Sequence, residues 1–551
     1  MALAALAGSA LVYRLGGYAL LEPDEGRNAE IAREMAATGD YVLPRLNGLP
    51  YVDKPVLSFA AGALAMEALG PTETAARLPS VLFTLLTAGL VAWLAHRLYG
   101  GDGAWIAGIA FVASPFTLAY ARTVIMDSGV SLWMTAAITA FYCATEARMG
   151  GPAVGPGAWS ILGWVAVGLG VLTKGPVALA VPLLVMVPYA LWRRRVGAVL
   201  DPLGLLAFLA VVLPWVFAVS ARVPDFLRYV LTVETAGRLS TGGLGRAEAW
   251  WYFWPILAGA AFPWTALALA GLRRPARGVP LDPRAALLLC WITLPLLFFT
   301  LSQSKRPQYV LPLVPAFALA MAHLWSMDAG RVPRVRFAGA GMGVLGLGLV
   351  LAAGALGRLF PASAEVAALI PRTARWMGGV AVAGGALAVI RARCPVASLS
   401  GLALPVLALP FVGLPLLSAI GRDRSSADLA RAMRPLLGAR TEVVAAGVFP
   451  LSLPFYLRRP LTLATADGRE LTSNYVPRRH QEFRLLPGSP LRPPSWWVEA
   501  LALCDRPRLF VVPATAKTAR DHLAASLPLV ALSRKVAVYG PCGGDALARG
   551  P

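Results

Sequence analysis

Between Leu21 and Lys54 the chain carries Asp24, Glu25, Arg27, Glu30, Arg33, Glu34, Asp40, Arg45, Asp53 and Lys54, with long apolar runs on either side. Ionisable groups set against hydrocarbon are costly to keep and mark functional positions. Carboxylates beside amines and guanidinia can take up a proton, hold an anion, or do both at a membrane face. Further charges of this kind recur in short loops between apolar runs: Asp127, Lys174, Asp225, Glu234, Arg238, Lys305 and Arg306.

The elements that must position these groups are membrane spans. Of 551 residues, 57% are hydrophobic and 14% charged, against about 25% charged in soluble domains. The expected class is an α-helical polytopic membrane protein. A net charge of +21 could suggest nucleic acid. The basic residues, however, form short clusters between apolar runs and not one soluble face, so they are topology signals and no nucleic acid is expected.

Hydropathy places spans near 2–21, 76–96, 104–120, 129–146, 158–173, 176–192, 203–220, 251–272, 284–301, 310–327, 337–357, 375–392 and 400–419, about thirteen in all. Residues 57–70 form a shorter segment, expected as a re-entrant or interfacial helix. The first twenty residues lack the basic start and small-residue cleavage site of a signal peptide and are taken as the first span.

Arg193, Arg194 and Arg195, then Arg273, Arg274 and Arg277, then Arg331, Arg334 and Arg336, and finally Arg391 with Arg393 occupy alternate turns. The positive-inside rule puts those turns in the cytoplasm. Loops 22–56, 121–128, 221–250, 302–309 and 358–374, and everything after Ile420, then face outward.

Residues 421–551 alternate short apolar runs, Glu442–Val448, Leu461–Thr465 and Leu509–Val512, with helix-like stretches at Ser426–Leu437 and Ala514–Leu527. That pattern predicts a small α/β soluble domain. The expected organisation is a membrane domain over 1–420, with its first outward loop at 22–75, followed by an extracytoplasmic domain over 421–551. Of five cysteines, only Cys504 and Cys542 share the tail, where a disulfide is possible. No cysteine pair has metal-ligand spacing. Trp496 and Trp497 suit either a bilayer interface or ordinary packing.

The runs Asp24-Glu25-Gly26-Arg27-Asn28-Ala29-Glu30-Ile31-Ala32-Arg33-Glu34-Met35, Gly39-Asp40-Tyr41, Pro44-Arg45-Leu46-Asn47-Gly48 and Tyr51-Val52-Asp53-Lys54-Pro55 resemble the first outward loop of lipid-linked sugar transferases. The resemblance is to the protein mannosyltransferase superfamily with the GT-C fold, most closely to bacterial aminoarabinose transferases that modify lipid A. Matching pieces continue in the same order at Thr173-Lys174-Gly175-Pro176, Phe262-Pro263-Trp264 and Ser302-Gln303-Ser304-Lys305-Arg306-Pro307 with Tyr309. They cover roughly the first 330 residues, which is more specific than one short motif.

The resemblance implies a polyprenyl-phosphate-linked sugar as donor, a lipid, glycan or protein as acceptor, and inversion at the sugar carbon. The site would lie on the periplasmic side of a bacterial inner membrane. Lys54, Lys174, Arg27, Lys305, Arg306 and Arg238 would hold the departing phosphate, with Tyr51 and Tyr309 beside it. Asp24 and Asp127 would be the active-site carboxylates, and Asp53 and Glu234 would act at the acceptor or elsewhere. The residues also admit plainer roles. Asp127 could cap a helix, Glu25, Glu30 and Glu34 could be solvated or paired helix charges, and Arg33 and Arg45 could snorkel or pair.

One position departs from the family. Where the aminoarabinose transferases carry Glu-His followed by Arg, and the His helps to bind a divalent metal, this chain reads Glu234-Thr235-Ala236-Gly237-Arg238. The four histidines, His96, His323, His480 and His522, all lie elsewhere, so no obligatory metal is expected. The same departure loosens the assignment of aminoarabinose as sugar and lipid A as acceptor. Two other classes fit intramembrane charge: a transporter and a non-catalytic lipid-binding scaffold. A transporter commonly repeats its interrupted helices in both halves, whereas the charged loop occurs once.

Overall fold

A computed structural model describes residues 2–146, 155–237, 248–271, 281–327, 331–359 and 363–543. By contacts the chain forms two compact units. The first comprises Met1–Leu15 with Arg77–Leu416, and the second Gly16–Ala76 with Leu417–Pro551. The loop after the first helix thus shares a unit with the C-terminal tail, although some 340 residues of chain, Arg77–Leu416, separate the two segments.

The first unit is a helical bundle. Eight helices among the described residues are long and apolar enough to cross a membrane. The number differs from about thirteen for identifiable reasons. Glu73–Val112 runs for 40 residues through Gly100, whose φ of 79° breaks it, and takes in the expected span 76–96 and the first half of 104–120, the rest of which is the separate helix Pro115–Ala121. The first helix, Ala2–Val12, stops after 11 residues. The expected span 251–272 is two short helices, Phe253–Ala260 and Trp264–Gly271, because Pro263 interrupts the ladder. Val177–Trp192 has only 16 residues. Asp127–Thr145 is long enough at 19 but carries Ser128, Ser131, Thr135 and Thr139 along one face.

Large aromatic side chains fill the bundle, and three of its tryptophans satisfy their indole N–H groups as burial requires. Trp264 donates to the Ala113 carbonyl at 3.1 Å, Trp291 to that of Pro312 at 3.1 Å, and Trp164 to that of Val199 at 2.8 Å. The Phe-Pro-Trp motif therefore serves to turn the chain and plug the core.

In the second unit, helix Asp24–Thr38 packs on helix Leu57–Leu69, where Gly62 lies so close to Ala32 that an added Cβ would come within 2.9 Å of its Cβ. Between them is a hairpin, β1 (Arg45–Leu46) and β2 (Leu49–Pro50). Asn47 and Gly48 form its turn with φ of 55° and 77°, as an Asn-Gly two-residue turn demands.

The tail adds β3 (Glu442–Ala446), β4 (Thr462–Ala464), β5 (Leu491–Arg492), β6 (Arg508–Pro513), β7 (Leu529–Leu532) and β8 (Val536–Cys542) in one sheet of order β5-β4-β3-β6-β8-β7. The β5-β4-β3-β6 part is parallel, and β8 is antiparallel to both β6 and β7. The central β3 and β6 are buried and rich in Val, Leu and Phe, as parallel strands covered on both faces should be. The small α/β character expected of the tail is therefore present. Cys504 and Cys542 form a disulfide with their Cα atoms 5.7 Å apart. Trp496 lies under the guanidinia of Arg492 and Arg508, and Trp497 meets His522 edge-on. Both tryptophans pack on the sheet's core, which is the ordinary of the two readings.

Candidate active site

Five of the expected site residues, Asp24, Arg27, Tyr51, Asp53 and Lys54, come together in the second unit. Asp24 opens its helix, and Arg27, one turn on, donates to it at 2.5 Å. The Arg27 guanidinium lies 5.8 Å from the Tyr51 ring centre. Burial lowers the affinity of Arg27 for its proton, but the fields of Tyr51, Asp24 and Asp53 outweigh that and hold it firmly charged. Asp53 is buried, 5% exposed. Its carboxylate accepts the Asn474 amide at 2.7 Å, while its carbonyl accepts from the Lys54 ammonium at 2.6 Å. The loop thus gathers two carboxylates, a guanidinium, an ammonium and a phenol ring.

The local fold explains how so much charge is kept in place. Glu25 reaches back to the Leu21 amide at 2.9 Å and satisfies the helix start, as a capping residue would. Glu22 accepts from Ser426 Oγ at 2.7 Å and from Ser452 N and Oγ at 3.0 and 2.6 Å. A Cβ at Gly26 would lie 2.8 Å from Ser452 N and 2.9 Å from its Cα, so only glycine fits there.

Glu25, Glu30 and Glu34 are paired but not solvated, with exposures of 2%, 0% and 8%. Glu30 accepts two bonds from Arg33, both at 2.7 Å. Glu34 accepts the Asn47 and Gly48 amides and so grips the hairpin turn. Solvent exposure fails for them because this helix is covered by the hairpin and the tail. Burial pushes the Glu30 carboxyl up to about 8 despite Arg33, and burial also raises Glu34. Arg45 is held by Gly48 O at 3.3 Å and by Asp40.

Asp127, Lys174 and Tyr309 come together in the first unit. Asp127 is the first residue of helix Asp127–Thr145 and Lys174 the last of Pro156–Lys174, two helices packed side by side. Their ammonium–carboxylate pair is direct, with Asp127 2% exposed. The Thr173-Lys174-Gly175-Pro176 motif is the turn that makes this possible. Gly175 ends one helix with a φ of 90°, and Pro176 precedes the next. It leaves the cation at a helix C-terminus, where the macrodipole favours it. The Lys174 ammonium also stands 5.3 Å from the centre of the Tyr309 ring, which stacks at 6.4 Å on Phe253. Asp127 therefore pairs with Lys174, while no side-chain cap is formed at the preceding Met126.

Lys305 is 8% exposed and donates to the Glu248 carbonyl at 3.0 Å. Arg306 directly precedes the 3-10 turn Pro307–Leu313 that carries Tyr309. Glu234 accepts from the Tyr229 hydroxyl at 3.3 Å. Arg238, with Thr241-Gly242-Gly243 and the Arg273, Arg274 and Arg277 cluster, lies outside the described residues. Among the described residues no three His, Cys, Asp or Glu side chains are grouped as metal ligands would be.

Sequence reading missed what the tail supplies. Thr472 Oγ1 accepts from Arg27 at 3.1 Å, the Asn474 amide serves Asp53, and Asn47 exchanges two bonds of 2.8 Å with the backbone of Leu461. These partners lie more than 400 residues from the groups they hold. No local pattern could have announced them.

A polytopic bundle, an acidic and basic first loop gathered against an α/β tail, and a lysine at a helix-breaking turn define an integral membrane protein of GT-C-like fold. The chain matches the family described as dolichyl-phosphate-mannose-protein mannosyltransferase over residues 19–230. It is 34% identical over 308 residues to the undecaprenyl phosphate-alpha-4-amino-4-deoxy-L-arabinose arabinosyl transferase of Erwinia tasmaniensis, covering 55% of each chain. It is 35% identical over 318 residues to that of Serratia proteamaculans, covering 57% of each. The matched part thus spans about half the length of these curated relatives. The crystal structure of ArnT from Cupriavidus metallidurans bound to undecaprenyl phosphate is similar with a TM-score of 0.84 and 26% identity, over 98% of this chain and 97% of that one. The resemblance read from the first 330 residues holds, and the likeness of fold extends through the tail.

Proposed function

We propose that this chain is a membrane glycosyltransferase that moves a sugar from a polyprenyl phosphate to a lipid, glycan or protein acceptor. The observation that carries this reading is the gathered Asp24, Arg27, Tyr51, Asp53 and Lys54 in a fold like that of ArnT bound to undecaprenyl phosphate. In the reaction the bond from the anomeric carbon to the phosphate oxygen breaks while one to an acceptor oxygen forms. The electron pair leaves with the lipid phosphate. Lys54, Arg27, Lys174, Lys305, Arg306 and Arg238 are assigned to that growing negative charge. Asp24 takes the proton of an acceptor hydroxyl, a contribution of about 10²–10⁴-fold, and Asp127 orients Lys174. Direct displacement inverts the anomeric carbon.

Curated relatives described as undecaprenyl phosphate aminoarabinose transferases, with the family resemblance of the first loop, make a lipid A acceptor the first to try. We assign residues 1–420 to the membrane-embedded catalytic domain and 421–551 to an extracytoplasmic domain, with the site on the periplasmic side of a bacterial inner membrane. The Cys504–Cys542 disulfide supports an oxidising location for the tail.

The test is transfer by reconstituted protein supplied with undecaprenyl-phosphate sugars, with the product identified by mass spectrometry. Asp24→Asn and Lys54→Ala are each expected to lose at least about 100-fold in rate while inserting normally into the membrane. Full transfer by Asp24→Asn would remove that carboxylate from the mechanism.

A further inference from the structure

Of the six non-glycine residues with positive φ among the described ones, Arg14, Asn47, Arg194, Arg458, Thr472 and Cys504, only Thr472 is β-branched. It has φ 54° and ψ 26° at the end of the short turn Arg469–Leu471. A branched side chain is a real outlier in this region, and such conformations persist where the surroundings impose them, commonly at functional sites. Nothing about the turn's own geometry calls for threonine, since glycine or asparagine would adopt it more readily.

What threonine supplies is its hydroxyl, which accepts from Arg27 at 3.1 Å. Arg27 gives its other terminal nitrogen to Asp24, and its buried Nε has no partner among the described residues. Two residues on, the Asn474 amide holds the Asp53 carboxylate, whose carbonyl in turn holds Lys54. Ser473 between them is 6% exposed and accepts the Tyr475 and Val476 amides at 3.1 and 3.3 Å, which locks the turn.

We infer that the Thr472–Asn474 turn of the tail is a positioning element for the donor phosphate site. Thr472 aims the Arg27 guanidinium, and the backbone N–H of Asn474 holds the Asp53 carboxylate next to Lys54. The inference rests on the reading of Arg27 and Lys54 as phosphate ligands. It adds residues from a segment for which the sequence indicated no role, and it gives a use to a strained threonine at a position where glycine would be easier.

The experiment measures, on the full-length protein in lipid nanodiscs, the Kd for undecaprenyl phosphate, the rate of sugar transfer and the thermal midpoint for wild type, Thr472→Gly and Thr472→Ser. Loss of a hydrogen bond to a charged group predicts binding about 10-fold weaker in Thr472→Gly, with a thermal midpoint equal to or above wild type because the backbone is relieved. Thr472→Ser keeps the hydroxyl and is expected within about 2-fold of wild type, the spread of ordinary surface substitutions. A purely structural role would move stability and binding together, so Thr472→Gly binding as tightly as wild type, or Thr472→Ser binding as weakly as Thr472→Gly, overturns the inference. Wild type that binds the lipid but transfers no sugar would overturn the glycosyltransferase reading alone, leaving the binding arm to decide Thr472. Wild type that does not bind undecaprenyl phosphate overturns both.

Discussion

Asp127 and Lys174 form a pair that neither could leave without cost. Asp127 is 2% exposed, and its partner's side chain is 16% exposed. Removing one member of a buried pair strands the other charge and typically costs about 3–5 kcal/mol. Lys174→Met is therefore expected to lower thermal stability sharply, and the double variant Asp127→Leu/Lys174→Met to recover much of it. Thermal unfolding of the two purified variants checks this, and recovery of fold without recovery of transfer would assign the pair to chemistry as well as to packing. At this scale the sequence was informative where chemistry is local. The family motifs pointed to Asp24, Arg27, Asp127 and Lys174, but not to the pairing of Asp127 with Lys174 across 47 positions. Between the two roles open to the glutamates, paired or solvated, only their covering decides, because a helix rich in charge looks solvated until the segments packed on it are known.

The helix Asp24–Thr38 and its coverings are the element on which the site depends. Gly26→Ala would push a methyl group to 2.8 Å from the Ser452 backbone, where no flexible side chain can give way. Overpacking of this kind costs about 1–3 kcal/mol, so protease resistance of the tail should fall and transfer with it. The same helix makes stability depend on pH. Glu30 binds its proton up to about 8 in the folded protein, whereas in the unfolded chain it releases it near the ordinary glutamate value of about 4.3. Between those values the folded state holds more protons, so stability falls as pH rises through the window. Denaturation midpoints taken from pH 5 to pH 8 should decline, and Glu30→Gln should flatten the trend. Hydropathy separated the spans on either side of Gly100, yet it could not see the interruption of 104–120 at Ser114 or the division of 251–272. Both depend on backbone geometry rather than on apolar content.

For the whole molecule, alternate arginine clusters predict sidedness. Single-cysteine labelling in a variant lacking the free cysteines Cys143, Cys290 and Cys394 is expected to find Arg194 accessible from the cytoplasm and Arg478 from the opposite side. The reverse pattern would refute the orientation. The α/β nature of the tail was legible from its alternating runs. Its union with the first loop was not, because contacts such as Asn47 with Leu461 leave no periodic trace in either segment.

That union has a consequence for how the protein is made. The ribosome delivers Gly16–Ala76 some 340 residues before Leu417–Pro551, yet the two segments form one compact unit. Until residues 472–474 have been made and folded against the loop, Arg27 and Asp53 lack the Thr472 hydroxyl and the Asn474 N–H. A chain interrupted before residue 472 would leave the first loop without these two partners, so the order of the loop depends on a segment made some 400 residues later.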